Sequence, residues 1–576
     1  MALTMVYIGI NWLIKTLKVE KNYVRYAHLK SEPVIITFGV MANESQNHPN
    51  VISTDNTLAL PDRRGIGYVY YHSMLKNRGK IAQINGNTGE EESYDQLLMK
   101  CIRTAITMQL KGIRPGDFIS ICSPDALECF VAYIASLFIG AISASICEDM
   151  SVEENLYLLE QVNPKMIFVC KEAVELVEKV AERLAHDPII VVFGATKNHT
   201  PFEDFLAKRC QEDQFRPREV ANLDETAIVI FSSGTTGRPK GICHTHYSVL
   251  STVTFFDRKE NLQLAIFSTT YWSVFYTFAH KTLTNGFTRI VFSDLEVINP
   301  WSILKYRIDF TFFGWNDYMS FTRTEKPPFV DPSNLRELAI GGNSINMDQI
   351  AKLQSVFPDA FIHSTYGQTE VFQEIFTFPN SAASRSLAVR YPNSVGLPLA
   401  GFRYKVVDLD TEEILGPNRK GELRLRSACQ TSGYYNHDSS EMFDSEGWLK
   451  TGDLVYYNEE RCFFITGRIK ESFKYLYHHI SPVEIESVLM AHPSVGRAVV
   501  LGLPHETDDN HPFALVELLE NKGNVKANDL VRYVDSRVED QKRLRGGVKI
   551  VKRIPLTPTG KVNRFKLREM LKKQEI

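Results

Sequence analysis

Ala227-Ile228-Val229-Ile230-Phe231-Ser232-Ser233-Gly234-Thr235-Thr236-Gly237-Arg238-Pro239-Lys240-Gly241 joins an apolar β-branched run to a polar, glycine-rich loop. The first four residues read as a buried strand that delivers the chain into the loop. From Phe231 to Gly241 the loop carries two Ser, two Thr, three Gly and one Lys. Glycines let backbone N–H groups turn toward a ligand, hydroxyls add donors, and lysine supplies a compact positive charge. Ser232, Ser233, Gly234, Thr235, Thr236, Gly237 and Lys240 thus describe a concave anion site suited to a polyphosphate. The Walker pattern is excluded, because Pro239 precedes the lysine and Gly241 stands where Ser or Thr would follow. A solvated turn would account for the glycines and threonines but not for their order.

Outward from this loop, apolar strands alternate with helical spacing. Ile81-Ala82-Gln83-Ile84, Phe118 to Cys122, Ala141 to Cys147, Met166 to Cys170 and Ile189 to Phe193 read as extended. Helices are predicted at Tyr94 to Leu110, after Asp125, at Val152 to Gln161 and near Glu172 to Leu184. Strands this apolar, separated by helices, predict mostly parallel sheets covered by helices on both faces. Past Arg468 the texture changes. Ser481-Pro482-Val483-Glu484 predicts a capping box with proline at the first helical position. Val495 to Leu501, Phe513 to Leu518 and Gly547 to Val551 then read as strands, with a helix at Asp529 to Val538. This is an α+β unit of about a hundred residues, an ordinary domain size.

The chain has 576 residues, 44% of them hydrophobic and 11% aromatic, enough for a large core and more than one domain. A net charge of −3 gives no argument for nucleic acid or an acidic membrane. The nine cysteines lie singly, without CxxC or CxxH spacing, so neither a zinc site nor a disulfide framework is expected. Reduced thiols in a reducing compartment fit best. Met1 to Ile14 is mostly apolar but has no positive region before it. A weak anchor, a partly buried helix and an extension outside the core all fit, and the extension is favoured. Cys129 to Cys147 is uncharged over about the length of a membrane span, yet Gly140 and its serines favour a buried helix running into a buried strand. No firm membrane-spanning segment is therefore expected, and oligomeric state is not encoded in any motif.

Ser-Gly-Thr-Thr-Gly-x-Pro-Lys-Gly resembles the phosphate loop of the adenylate-forming enzymes: acyl-CoA synthetases, coumarate–CoA ligases, insect luciferases and adenylation domains of peptide synthetases. The likeness runs from about Val51 to Arg568, and it is most similar to luciferase-like insect acyl-CoA synthetases. It implies an α/β fold: a large N-terminal domain of helix-covered, mostly parallel sheets plus a β-subdomain, then a small mobile α+β C-terminal domain. Residues 1–50 would be an extension, 51–466 the ATP- and acyl-binding domain, and 467–576 the mobile domain carrying Lys561, hinged at Lys470. ATP, Mg²⁺ and CoA as co-substrate, with a small carboxylic acid, are the implied partners.

The resemblance also assigns residues. Gly341-Gly342 would admit adenine and the acyl group where side chains would clash. In Tyr366-Gly367-Gln368-Thr369-Glu370, Tyr366 would stack on adenine, Thr369 contact the α-phosphate and Glu370 hold Mg²⁺. Asp453, in Thr451-Gly452-Asp453, would accept the ribose hydroxyls, and Arg468 would be a second ribose or phosphate contact. Lys561, in a loop stiffened by Pro555, Pro558 and Gly560, would stabilise charge at the reaction centre. Lys474 would serve the second half-reaction.

Departures from the family pattern are informative. Luciferases carry His-His-Gly-Phe where this chain has Tyr271-Trp272-Ser273-Val274. The substitution argues against bioluminescence and makes Trp272 a candidate wall of an acyl pocket. In Lys470-Glu471-Ser472-Phe473-Lys474-Tyr475-Leu476-Tyr477, the family's second-half glycine is Tyr477, which would narrow a thiol channel. His478 and His479 read as loop histidines. The expected activity is an ATP-dependent acyl-CoA synthetase. The alternatives are an adenylating enzyme with another acceptor, or a non-catalytic binding relative, against which Lys561, Glu370 and Asp453 all stand. Many relatives end in a peroxisomal Ser-Lys-Leu, whereas this chain ends Lys573-Gln574-Glu575-Ile576. Residence is thus peroxisomal by resemblance alone and otherwise cytoplasmic.

Overall fold

The computed structural model describes residues 48–54, 60–124, 127–232, 238–252, 261–292, 300–328, 330–342, 347–476, 478–519, 525–557 and 560–573. Met1 to Asn47, the centre of the glycine-rich loop and Tyr477 lie outside them.

Among the described residues, an eight-stranded sheet runs Gly433–Tyr434, Gly241–Thr245, Thr226–Phe231, Ile142–Ser143, Phe118–Cys122, Met166–Cys170, Ile189–Phe193, Thr200–Pro201. The pairs from Thr226–Phe231 onward are parallel. Phe118–Cys122 and Met166–Cys170 are buried at every position, as expected of strands covered on both faces. The uncharged run resolves into the helix Leu127–Ile139, buried from Cys129 to Ile139, and the short strand Ile142–Ser143. Among the described residues no helix is long and apolar enough to cross a membrane.

A second, seven-stranded sheet is parallel except at its Glu91–Ser93 edge. It places Phe310–Phe313, Glu337–Ile340 and Phe361–Ser364 side by side. A five-stranded antiparallel sheet, from Ile52–Ser53 to Phe463–Arg468, supplies the β-subdomain. The mixed α/β architecture expected from the sequence is the one observed.

The C-terminal sheet joins His478–Ile480, Phe473–Tyr475, Asp509–Leu518, Val495–His505 and Gly547–Val551. Its central hairpin is longer than the apolar pattern predicts. Pairing continues from Gly502↔Pro512 to His505↔Asp509 through residues with no hydrophobic alternation. The capping box at Ser481 is not formed, although proline does open the helix Pro482–Met490. Ser481 Oγ instead donates to the Thr466 carbonyl at 2.6 Å. Glu484 pairs with Lys420 at 2.8 Å and Lys542 at 2.7 Å. Tertiary partners win both side chains from the local cap.

Candidate active site

The ends of three parallel strands and one antiparallel pair converge on a cavity of about 450 Å³. Thr226–Phe231 delivers Ser232, whose N–H donates to the Lys240 carbonyl at 3.0 Å. The Lys240 N–H returns a bond to Ser232 Oγ at 3.0 Å, and Tyr271 Oη donates to the Ser232 carbonyl at 3.2 Å. The neck of the glycine-rich loop is therefore held shut. Ser233, Gly234, Thr235, Thr236 and Gly237 lie outside the described residues. Lys240 Nζ sits 4.5 Å over the Tyr434 ring.

Glu337–Ile340 ends at Gly341-Gly342. A β-carbon on Gly341 would meet the Phe312 ring at 2.9 Å. Gly342 has a φ of +84°, and a β-carbon there would lie 3.3 Å from the Trp272 indole. The same indole lies 3.3 Å from where a side chain on Gly314 would begin. Glycines on two sides make the slot that admits Trp272, which meets Phe312 edge-on at 5.6 Å. Gly314 gave no functional signal in the sequence.

Phe361–Ser364 runs out into Thr365 to Glu370. Gly367, Gln368, Thr369 and Glu370 line the cavity. Tyr366 packs its ring against Phe376 and donates its hydroxyl to Asp453. Asp453 is 2% exposed and also accepts from Gln368 Nε2 at 2.7 Å and Arg468 Nε at 2.8 Å. Thr451-Gly452-Asp453 is part of the strand Leu449–Tyr457, in register with Phe463–Arg468, so that Asp453 pairs with Arg468.

Lys561 reaches the cavity from the C-terminal region, alongside Arg468 and Lys470. Burial, helped by the Arg468 charge, lowers its pKa to about 8. Burial raises the pKa of Glu370. Arg238, Lys240, Arg468, Lys470 and Lys561 line the space, against the carboxylates of Glu370 and Glu374. An excess of fixed cations suits a polyanionic ligand. Lys474 is not brought into this cluster: it is exposed, on the strand Phe473–Tyr475.

Two supports were not legible in advance. His244 Nε2 donates to the Thr369 carbonyl at 2.8 Å from full burial. Lys281 Nζ lies 2.6 Å from both oxygens of Glu374 beneath the cavity wall. A lysine between Phe278 and Leu283, on a helix facing the core, was the available signal.

Residues 71–435 match the model of the AMP-binding enzyme family, and residues 484–561 match the AMP-binding enzyme C-terminal domain. The chain belongs to the AMP-binding enzyme family. This AMP-binding enzyme is 31% identical over 526 residues to a luciferin 4-monooxygenase of Nipponoluciola cruciata, covering 87% of the chain and 93% of the relative. It is 26% identical to a probable CoA ligase of Humulus lupulus, covering 88% of the chain and 93% of the relative. Among solved structures it resembles the luciferase-like enzyme from the nonluminescent mealworm Zophobas morio. That match has 31% identity and a TM-score of 0.68, and covers 73% of this chain and 100% of the other.

Proposed function

We propose that this AMP-binding enzyme is an ATP-dependent acyl-CoA synthetase for a fatty or similarly apolar carboxylic acid. The observation that carries the reading is the meeting of Lys561 with the Gly341-Gly342 corner, Thr369, Glu370 and Arg468 around one cavity. The substrate carboxylate attacks the α-phosphorus of ATP, diphosphate leaves, and an acyl adenylate remains. Ser232 to Lys240 hold the departing phosphates, and Lys561 and Thr369 meet the charge that develops at the α-phosphate. Tyr366 and Gly367 flank adenine, while Asp453 exchanges its Gln368 and Arg468 partners for ribose hydroxyls. Phe278, Phe312 and Trp272 give the acid an apolar wall.

Glu370 fits a magnesium ion. Its oxygen donors suit a hard cation, and the burial that raises its pKa is a cost that a bound cation offsets. Such an ion would neutralise phosphate charge.

In the second step the CoA thiolate attacks the acyl carbonyl and AMP leaves. Residues 467–576 would swing about Lys470, withdrawing Lys561 and bringing Lys474 to the thiol side, a closing motion of a common kind. The relatedness to a probable CoA ligase supports this acceptor. Tyr477, in place of glycine, favours a second reading in which adenylation is followed by transfer to another acceptor. Luminescence is not proposed, since Tyr271 and Trp272 replace the histidines of luciferases.

The test is incubation with Mg-ATP and a panel of fatty and aromatic acids, with and without CoA, following AMP-linked and CoA-linked products together. Acyl-CoA supports the synthetase, adenylate alone supports the second reading, and no product from any acid removes both.

A further inference from the structure

The hairpin between Val495–His505 and Asp509–Leu518 gathers three side chains of metal-ligating type, spaced three residues apart around its turn. Register places Leu503 opposite His511 and His505 opposite Asp509. His505 and His511 are therefore diagonal neighbours on one face of the ribbon. Their rings stack with centroids 3.8 Å apart and an interplanar angle of 18°. Asp508 Oδ2 lies 2.8 Å from His511 Nε2 and 3.5 Å from His505 Nδ1. One ligand atom from each of the three residues lies within 4.8 Å of the other two.

A carboxylate–imidazole hydrogen bond accounts for the His511 contact, while His505 Nδ1 has only a long contact to Thr507 Oγ1 at 3.4 Å and faces the same Asp508 oxygen. At 3.5 Å from Asp508 that nitrogen is too far for a good hydrogen bond to the carboxylate, and its ring is stacked on a second imidazole. We propose that His505, Asp508 and His511 bind a divalent transition-metal ion of the zinc class. Two imidazole nitrogens and one carboxylate oxygen form a borderline donor set, which discriminates against Mg²⁺. Water would complete the coordination, since His505 and Asp508 remain partly exposed. Thr507 Oγ1 donates to the other Asp508 oxygen, Oδ1, at 2.9 Å and orients the carboxylate.

The site is tied to a neighbouring strand. The Leu476 N–H donates to the Asp508 carbonyl at 3.0 Å, and Asn510 Nδ2 donates to the Lys474 carbonyl at 3.0 Å. Metal binding would thus stiffen the backbone at Lys474 and Leu476, whichever reaction the enzyme performs.

The experiment is titration of untagged, metal-stripped full-length protein with Co²⁺ and Zn²⁺ in excess Mg²⁺, reading Co²⁺ ligand-field absorption and heat. Amide exchange at Leu476 is followed in parallel. One saturable site, binding weakened at least about tenfold in His505→Ala and in His511→Ala, and slower Leu476 exchange with metal are expected. Asp508→Asn keeps the size of the side chain and should weaken binding with the same metal-free circular dichroism as the parent. No saturable site, or equal affinity in parent and all three variants, overturns the assignment.

Discussion

Gly342 lies against Lys561: a β-carbon on Gly342 would stand 4.0 Å from Cε of Lys561, and its backbone is left-handed at φ +84°. Gly342→Ala should cost about 1–2 kcal/mol of stability from backbone strain and should crowd Trp272. Acid-dependent exchange of diphosphate into ATP should fall about tenfold, the equivalent of 1.4 kcal/mol at the barrier. Gly342→Leu should abolish it. Full exchange in the leucine variant would separate this corner from the reaction.

Lys561→Ala should lower adenylate formation by about a hundredfold or more with thermal unfolding little changed. Because the Lys561 pKa is lowered to about 8, its charge is lost as pH rises through that value. kcat/KM for adenylation should decline above pH 8 in the parent. The sign for stability is the reverse. The unfolded chain keeps its proton up to about 10.5, so this group's contribution to stability grows with pH between the two values. Parallel denaturation curves of parent and Lys561→Met across that window check the second sign.

Three buried imidazoles predict acid lability. Burial lowers His244 and His246 to about 4 and His280 to about 3, from 6.5. The unfolded chain binds more protons between those values, so stability falls as pH drops from 6.5 toward 4. Each group can contribute on the order of 3 kcal/mol at the acid end. Urea midpoints at neutral and mildly acidic pH measure the slope, which His280→Gln should reduce.

Lys281 and Glu374 form a buried pair, with side chains 3% and 13% exposed. Removing one partner, as in Glu374→Ala, should cost about 3–5 kcal/mol, because it takes the bidentate carboxylate away from a buried ammonium. Lys281→Met combined with Glu374→Leu should recover most of that loss. A double variant as unstable as the single ones would contradict this account.

Tyr477→Gly should raise the ratio of CoA-linked to AMP-linked product if the aromatic side chain narrows the thiol path. An unchanged ratio would remove Tyr477 from acceptor choice.

The parallel strands were legible because both faces are covered, leaving runs such as Ile189 to Phe193 with nothing polar to interrupt them. The Gly341-Gly342 corner and Lys561 were legible through motif order. Asp453 was named from its motif, but its strand pairing with Arg468 was not legible, because Thr-Gly-Asp carries no strand pattern of its own. His244, Gly314 and the Lys281–Glu374 pair were missed because each acts on a neighbour distant in sequence, a relation no local pattern encodes. The His505, Asp508 and His511 trio lies within seven residues but was missed for another reason: its spacing matches no metal motif, and only the hairpin register brings His505 beside His511.

The bond from Ser481 to Thr466 belongs to a seam between the β-subdomain and the C-terminal sheet. Lys420–Glu484 is an ion pair across it, and Met490 packs against both the C-terminal core and the core of the seven-stranded sheet. A side chain on Gly467 would collide with Ser481 Oγ. Parting the Ser481–Thr466 bond and the Lys420–Glu484 pair trades protein partners for water. Because the ion pair is partly exposed, added salt should weaken it, making salt concentration a dial on how long the two halves stay engaged.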